Sequence, residues 1–248
     1  MSVINHSHLL SATILLLALA GCSNNEIGES KDINQETIYQ YYGISYDENE
    51  NGGQAVIFAQ FRFAGEDGTT LVLTKPSKIT FDGSIIKVDS NDNSGAFYKL
   101  FIPAKNLFGK HQLVFTDINN KKFENDFLFD DFRIAGVPAI TFATQPLMIK
   151  FETKPLQGDD YLELSSANTD SSFTINYVAA DTANVITIPV SELQRQKGKV
   201  FSLLATLYKK MPLLQSTKEG GQIVTVHTLK PVIIRLMDSM QYASAKKF

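Results

Sequence analysis

The chain has 248 residues, 44% of them hydrophobic, and a formal net charge of −3, which is enough length and apolar content for two ordinary domains. No Lys/Arg-rich stripe of the kind that tracks a phosphate backbone is present, which argues against a nucleic-acid partner. Its single cysteine precludes an internal disulfide, so packing alone has to hold the fold.

The first element is a leader. Residues 9–20 are almost wholly apolar, and small residues stand directly before Cys22. The run is short of the roughly 20 apolar residues that a membrane span needs. Only His6 and His8 supply basic character ahead of it. Leu19-Ala20-Gly21-Cys22 resembles a bacterial lipobox. The resemblance covers the leader and anchor alone. It implies that residues 1–21 are a signal peptide that is cut away, that the Cys22 sulfur takes a diacylglycerol, and that the new amine is acylated. Each buried methylene is worth about 0.8 kcal/mol, so two or more chains moor the body for long times. Ser23 stands where an inner-membrane retention signal would often place Asp. The same resemblance therefore implies the outer membrane of a bacterial cell envelope. Residues 22–34, polar and containing Gly and Ser, are expected as a flexible tether.

From residue 35 onward helical periodicity is nearly absent. Short alternating or apolar runs recur between Gly, Asn, Asp and Pro turns, which predicts an all-β chain. Asp82-Gly83 and Asn119-Asn120 sit between such runs and predict hairpins, because a tight primed turn needs positive φ. The spacing of strands and turns predicts two β-sandwiches in tandem, residues 35–135 and 136–237, with 238–248 as a C-terminal tail. The boundary is placed near Ala135-Gly136-Val137-Pro138. An internal echo supports duplication. Ile102-Pro103, Leu107 and Gly109-Lys110 precede one strand, and Ile188-Pro189, Leu193 and Gly198-Lys199 precede another in the same order. Each proline would end a strand, and a helical turn at 191–194 is expected to cross the sandwich end. This pattern is similar to that of uncharacterised bacterial lipoproteins carrying tandem immunoglobulin-like domains, without the Trp and second Cys of antibody domains.

Candidate chemistry is sparse. His111 shares strand parity with Leu113 and Phe115 and is read as partly buried. His227 alternates with Val224 and Val226 and is expected to face solvent. Neither has metal-ligand spacing or a nearby nucleophile motif, so no catalytic residue and no cofactor is assigned. Asp89, Asn91 and Asn93 form a weak calcium candidate, since alternating oxygen ligands suit a hard cation. However, the glycine and glutamate positions of a calcium-binding EF-hand loop are filled by Ser94 and Leu100. A solvated loop is the plainer reading. Tyr39, Tyr41 and Tyr42 are the binding candidates, because tyrosine pairs a flat apolar face with a polar tip. Alternation puts Tyr39 and Tyr41 on one strand face and Tyr42 on the other.

The sequence therefore leads to a non-catalytic, lipid-anchored envelope protein that displays its domains to a protein partner not identifiable from the chain. The alternative is a glycan-binding accessory lipoprotein, which a crevice lined by these tyrosines would favour. A more distant third is a hydrolase, which convergence of His111 or His227 with an acid in a pocket would revive.

Overall fold

The computed structural model describes residues 27–91, 94–167, 172–178, 184–196 and 200–237. Leu19, Ala20, Gly21 and Cys22 lie outside the described residues, as do Asn93 and the tail from 238. Among the described residues nineteen strands follow in chain order. They are β1 (Ile27–Glu29), β2 (Ile38–Asp47), β3 (Gln54–Phe63), β4 (Thr69–Val72), β5 (Lys78–Phe81), β6 (Ser84–Ile85), β7 (Lys87–Asn91), β8 (Gly95–Pro103), β9 (Gly109–Thr116), β10 (Lys122–Phe129), β11 (Arg133–Gly136), β12 (Ile140–Phe142), β13 (Leu147–Glu152), β14 (Tyr161–Ala167), β15 (Phe173–Val178), β16 (Val185–Ile188), β17 (Val200–Pro212), β18 (Gly221–Thr228) and β19 (Val232–Met237). One short helix, α1 (Val190–Arg195), precedes β17. The chain is all-β, as its alternating pattern predicts.

Twelve strands join one sheet whose main order is β1-β4-β3-β2-β18-β17-β14-β15, with β7–β8 added beside β3 and β12–β19 beside β17. Two smaller sheets lie over its ends. The four-stranded sheet β10-β9-β5-β6 closes a first core around Tyr42, Phe61, Leu113 and Phe115. The three-stranded sheet β11-β13-β16 closes a second core around Ile149, Leu164, Leu203 and Ile234. The strands alternate accordingly: β13 reads buried-exposed throughout, the period expected of a strand with one face in a core.

The predicted turns are present. Asp82 (φ 46°) and Gly83 (φ 80°) both take the left-handed conformation that a primed turn requires, and Asn120 does so at φ 62°. The two proline echoes also have structural counterparts. A single 3₁₀ turn (Ala104–Asn106) follows Pro103, and α1 follows Pro189. Each leads to a fully buried leucine, Leu107 in the first core and Leu193 in the second, as the chain crosses between sheets of its sandwich.

Three expectations are modified. Residues 27–34, expected as part of a flexible tether, pack on the body instead. β1 pairs in parallel with β4, and Ser30 is fully buried, its hydroxyl accepting from the Thr74 amide at 2.9 Å. Backbone pairing needs no apolar side chains, so a polar stretch can dock. The division at 135/136 falls inside β11, which pairs with β13 across it. Finally, the second half returns to the first. β17 is 13 residues long, and the hairpin after it sends β18 back to pair in parallel with β2, Val224 opposite Gly43. Ile223 thereby sits in the first core, with Met211 and Leu213 packed against it. The two cores thus share one continuous sheet.

Candidate functional site

Strand parity sorts the three tyrosines. On β2, Ile38, Gln40, Tyr42 and Ile44 face the first core and are fully buried, while Tyr39, Tyr41, Gly43 and Ser45 face the opposite side of the sheet. Tyr42 therefore drops out as a binding residue. Its hydroxyl donates to Gln40 Oε1 at 2.9 Å inside the core, and burial pushes its pKa up.

The outer face around Tyr41 is apolar in the middle and polar at the rim. Register places Val224, Gly43, Phe58 and Lys99 in one row, and Val226, Ser45, Val56 and Phe101 in the next. Gly43 and Ser45 carry the smallest side chains of these rows, so they form a low floor between taller neighbours. Tyr41 meets Phe58 edge-on with centroids 6.1 Å apart, and Phe58 stacks on Phe97 at 5.6 Å. Lys99 sits 4.8 Å over the ring of Phe101, itself 47% exposed. The resulting depression measures about 320 Å³.

A second depression of about 250 Å³ adjoins it on the other side of Tyr41, lined by Tyr39, Gln60, Arg62, Glu66 and Asp67. Its polar groups are held in place. Arg62 donates to Gln60 Oε1 at 2.8 Å and to the Gly68 carbonyl at 3.0 Å, and Gln60 Nε2 donates to the Ser94 carbonyl at 2.8 Å. Gln222 Nε2 donates to Glu66 Oε1 at 3.0 Å. Burial, with the Glu66 charge adding to it, raises the pKa of both Tyr39 and Tyr41, so each keeps its phenolic proton as a donor. Tyr41 is the one residue common to both depressions.

The sequence did not flag Phe58, Val224, Val226 or the polar group from Gln60 to Asp67. The useful signal would have been apolar residues on both parities of one strand, which marks a sheet face whose outer side is also apolar.

The histidines are placed differently from one another. His111 is buried and its ring Nδ1 lies 2.7 Å from Asp82 Oδ2, with Nε2 2.5 Å from the Leu107 carbonyl. The pair opens onto a depression of about 490 Å³, so a histidine and an acid do converge. Both ring nitrogens are engaged by the fold, however, and Lys110, Gln112, Asp126, Phe127 and Leu128 complete the lining without a Ser, Thr or Cys to act as nucleophile. His227 is 2% exposed rather than solvent-facing. It stacks on Tyr46 at 5.3 Å, meets Phe132 edge-on at 4.9 Å, and has Nε2 3.3 Å from Glu48 Oε1. It is Val224 and Val226 that face outward. As for calcium, Asp89 and Asn91 lie on the extended strand β7, and Asp89 Oδ1 accepts from the Ser90 amide at 2.8 Å. Among the described residues no group of three or more His, Cys, Asp or Glu side chains is placed to hold a metal ion.

No protein-family model matches the chain, and no curated protein matches it. Solved structures that match the chain include DIP-gamma IG1+IG2, at 12% identity and a TM-score of 0.21, covering 80% of this chain and 94% of that one. The Bacteroides ovatus mixed-linkage glucan utilization locus protein SGBP-B, in complex with a mixed-linkage heptasaccharide, matches at 11% identity and a TM-score of 0.23, covering 86% of this chain and 66% of that one. The Yersinia pseudotuberculosis adhesin InvE matches at 10% identity and a TM-score of 0.20, covering 79% and 60%. Likenesses this distant carry no argument about this chain, whose all-β architecture rests on its own strands.

Proposed function

We propose that the chain is a non-catalytic binding protein of the bacterial outer membrane, lipid-anchored at Cys22, that recognises a glycan on the outer face of its large sheet. The observation that carries the reading is the junction at Tyr41, where an apolar, aromatic depression meets a polar one. Sugar rings present C–H faces that lie well on aromatic and aliphatic surface, and hydroxyls that pair with planar amide, carboxylate and guanidinium groups. Gln60, Arg62, Glu66 and Asp67 supply those groups beside Tyr39 and Tyr41. The anchor follows from the apolar leader and the Leu19-Ala20-Gly21-Cys22 motif. With β1 docked, only residues 23–26 separate Cys22 from the body, which would hold the face close to the membrane.

A glycan array probed with the acylated protein tests this reading. Binding to a defined glycan, lost in Tyr41→Ala and kept in Met148→Ala on the second sandwich, is the expected result. Retention by Tyr41→Ala, or no glycan bound at all, would remove it. Intact-mass measurement on native material tests the anchor, with an unmodified Cys22 thiol or a retained leader as the contrary result.

A second reading, display to a protein partner, is favoured by the width of the same face. Phe101, Val56, Ser45, Val226, Tyr208 and Tyr161 stand opposite one another across six adjacent strands, and Tyr161 and Tyr208 stack at 4.5 Å. With strands about 4.8 Å apart, that row spans roughly 24 Å, the scale of a protein contact. Recovery of one envelope protein with the acylated chain, lost on Tyr208→Ala, would support it.

A further inference from the structure

The register of the large sheet lines up one residue from each of six strands on its outer face. Lys210 of β17 stands opposite Val224, Val224 opposite Gly43, Gly43 opposite Phe58, Phe58 opposite Lys99, and Lys99 opposite Lys87 of β7. Lysine thus closes the row at both ends, and the middle of the row is the floor of the depression beside Tyr41. With strands about 4.8 Å apart, the backbones at Lys210 and Lys99 are separated by roughly 19 Å along the row.

All three lysines are exposed, and none forms an ion pair among the described residues. Lys87 and Lys99 face each other directly, and like charges placed so destabilise a sheet. The acid next to them in register is Asp89, opposite Phe97, and its Oδ1 accepts the Ser90 amide at 2.8 Å. The depression itself is lined by no acid, and the adjoining row from Tyr161 and Tyr208 to Phe101 contains none. The Lys99 ammonium lies 4.8 Å over the Phe101 ring. That contact holds the charge at the end of the apolar floor and leaves its N–H donors free of a carboxylate. The polar depression across Tyr41 has the opposite bias, since Arg62 there stands against both Glu66 and Asp67. A ligand spanning Tyr41 therefore meets a negative surplus at one end and a positive one at the other.

We propose that the glycan read by this face is acidic, a uronate or a sulfated sugar, laid across Tyr41 with its anionic group toward Lys99 and its hydroxyls toward Glu66 and Asp67. This rests on the glycan reading above and adds to it a charge and a direction. An anion beside Lys99 relieves the repulsion between Lys87 and Lys99, which a neutral sugar leaves in place. Sugar C–H faces cover Val224, Gly43 and Phe58, and Lys210 meets a further anionic group of a longer chain. The same anionic group turned the other way would face two carboxylates, which excludes the reversed orientation.

The test uses the acylated protein and an array that pairs acidic glycans with neutral counterparts, oligogalacturonate with its methyl ester and sulfated with desulfated galactan. The charged member of a pair is expected to bind about tenfold or more tighter, and the preference should shrink as salt rises from about 0.05 to 0.5 M. Preference within the uronate pair assigns a carboxylate, and within the galactan pair a sulfate ester. Lys99 is exposed, so Lys99→Gln leaves the fold intact, and it should cut the preference at least about threefold. Lys150→Gln removes the same charge from an exposed position on β13 and should leave the preference unchanged. Equal binding of both members, binding of neutral glycans alone, a preference that survives Lys99→Gln, or one that falls as far in Lys150→Gln overturns the inference while the glycan reading stands. An array on which nothing binds removes both.

Discussion

The ring of Tyr41 leans over Gly43, two residues along the same strand face. A methyl built on Gly43 would sit 3.4 Å from Tyr41 Cε1 and 3.5 Å from its hydroxyl oxygen, in ordinary contact. Glycine weakens a strand interior, and an aromatic laid across it restores the lost packing. The bare Cα at 43 thus sets the tilt of the ring that joins the two depressions.

Gly43→Val is expected to lift that ring. Valine suits a strand and leaves the core face untouched, so stability should change by no more than about 1 kcal/mol. Its branched side chain would occupy the floor where Tyr41 now rests. Glycan binding on the array should fall about tenfold or more while the urea midpoint stays near that of the native chain. A variant that binds as before would show that the tilt is immaterial.

Gly221 governs the return of β18 to the first sandwich. Its φ is 154°, and a Cβ there would lie 2.0 Å from the Gln40 carbonyl oxygen of β2. The clash is with backbone, which cannot swing aside. Gly221→Ala should therefore cost about 3 kcal/mol or more and loosen the start of the β2–β18 pairing. Urea unfolding measures the loss, and amide exchange on β2 locates it.

Much of this architecture is written in the residues. Alternation marked nearly every strand, Asp82-Gly83 marked its turn, and parity separated Tyr42 from Tyr39 and Tyr41. Three things were hidden for physical reasons. β1 is polar because it docks through its backbone, so hydrophobicity gives no sign of it. The β2–β18 pairing joins residues about 180 positions apart, and a pattern with period two says which face is buried but not which strand lies alongside. His227 was turned outward because Val224 and Val226 were taken for the inner face. On this strand the outer face is also apolar, so the rule that valine points inward gives the wrong sign at the place where the candidate site lies.

The shared sheet implies that the first sandwich is incomplete without the second half of the chain. Residues 27–135 lack β18, so the edge of β2 would be left unpaired and the first core would lose Ile223. An open edge strand of this length invites association. Such a fragment should show no cooperative urea transition and should aggregate in gel filtration. In the whole chain, Ile223→Ala should cost about 2–5 kcal/mol, like other large-to-small changes at fully packed sites.

His227 makes stability depend on pH. Burial among Tyr46, Phe108, Phe129 and Phe132 disfavours the imidazolium and lowers its pKa below the ordinary value of 6.5, against smaller opposing effects from Glu48, Asp131 and the Asp130 backbone. Below about pH 6.5 the unfolded chain binds a proton that the folded chain does not, so stability falls as pH falls, by up to about 1.4 kcal/mol per unit until the folded-state pKa is reached. Above about pH 6.5 both states are neutral, and below the folded-state pKa both are protonated, so the contribution is level outside that window. His227→Phe keeps the aromatic cage and removes the titration, so urea midpoints measured between pH 7.5 and 5 should drop less steeply in the variant than in the native chain. Parallel pH curves would show that the ring is not the group responsible.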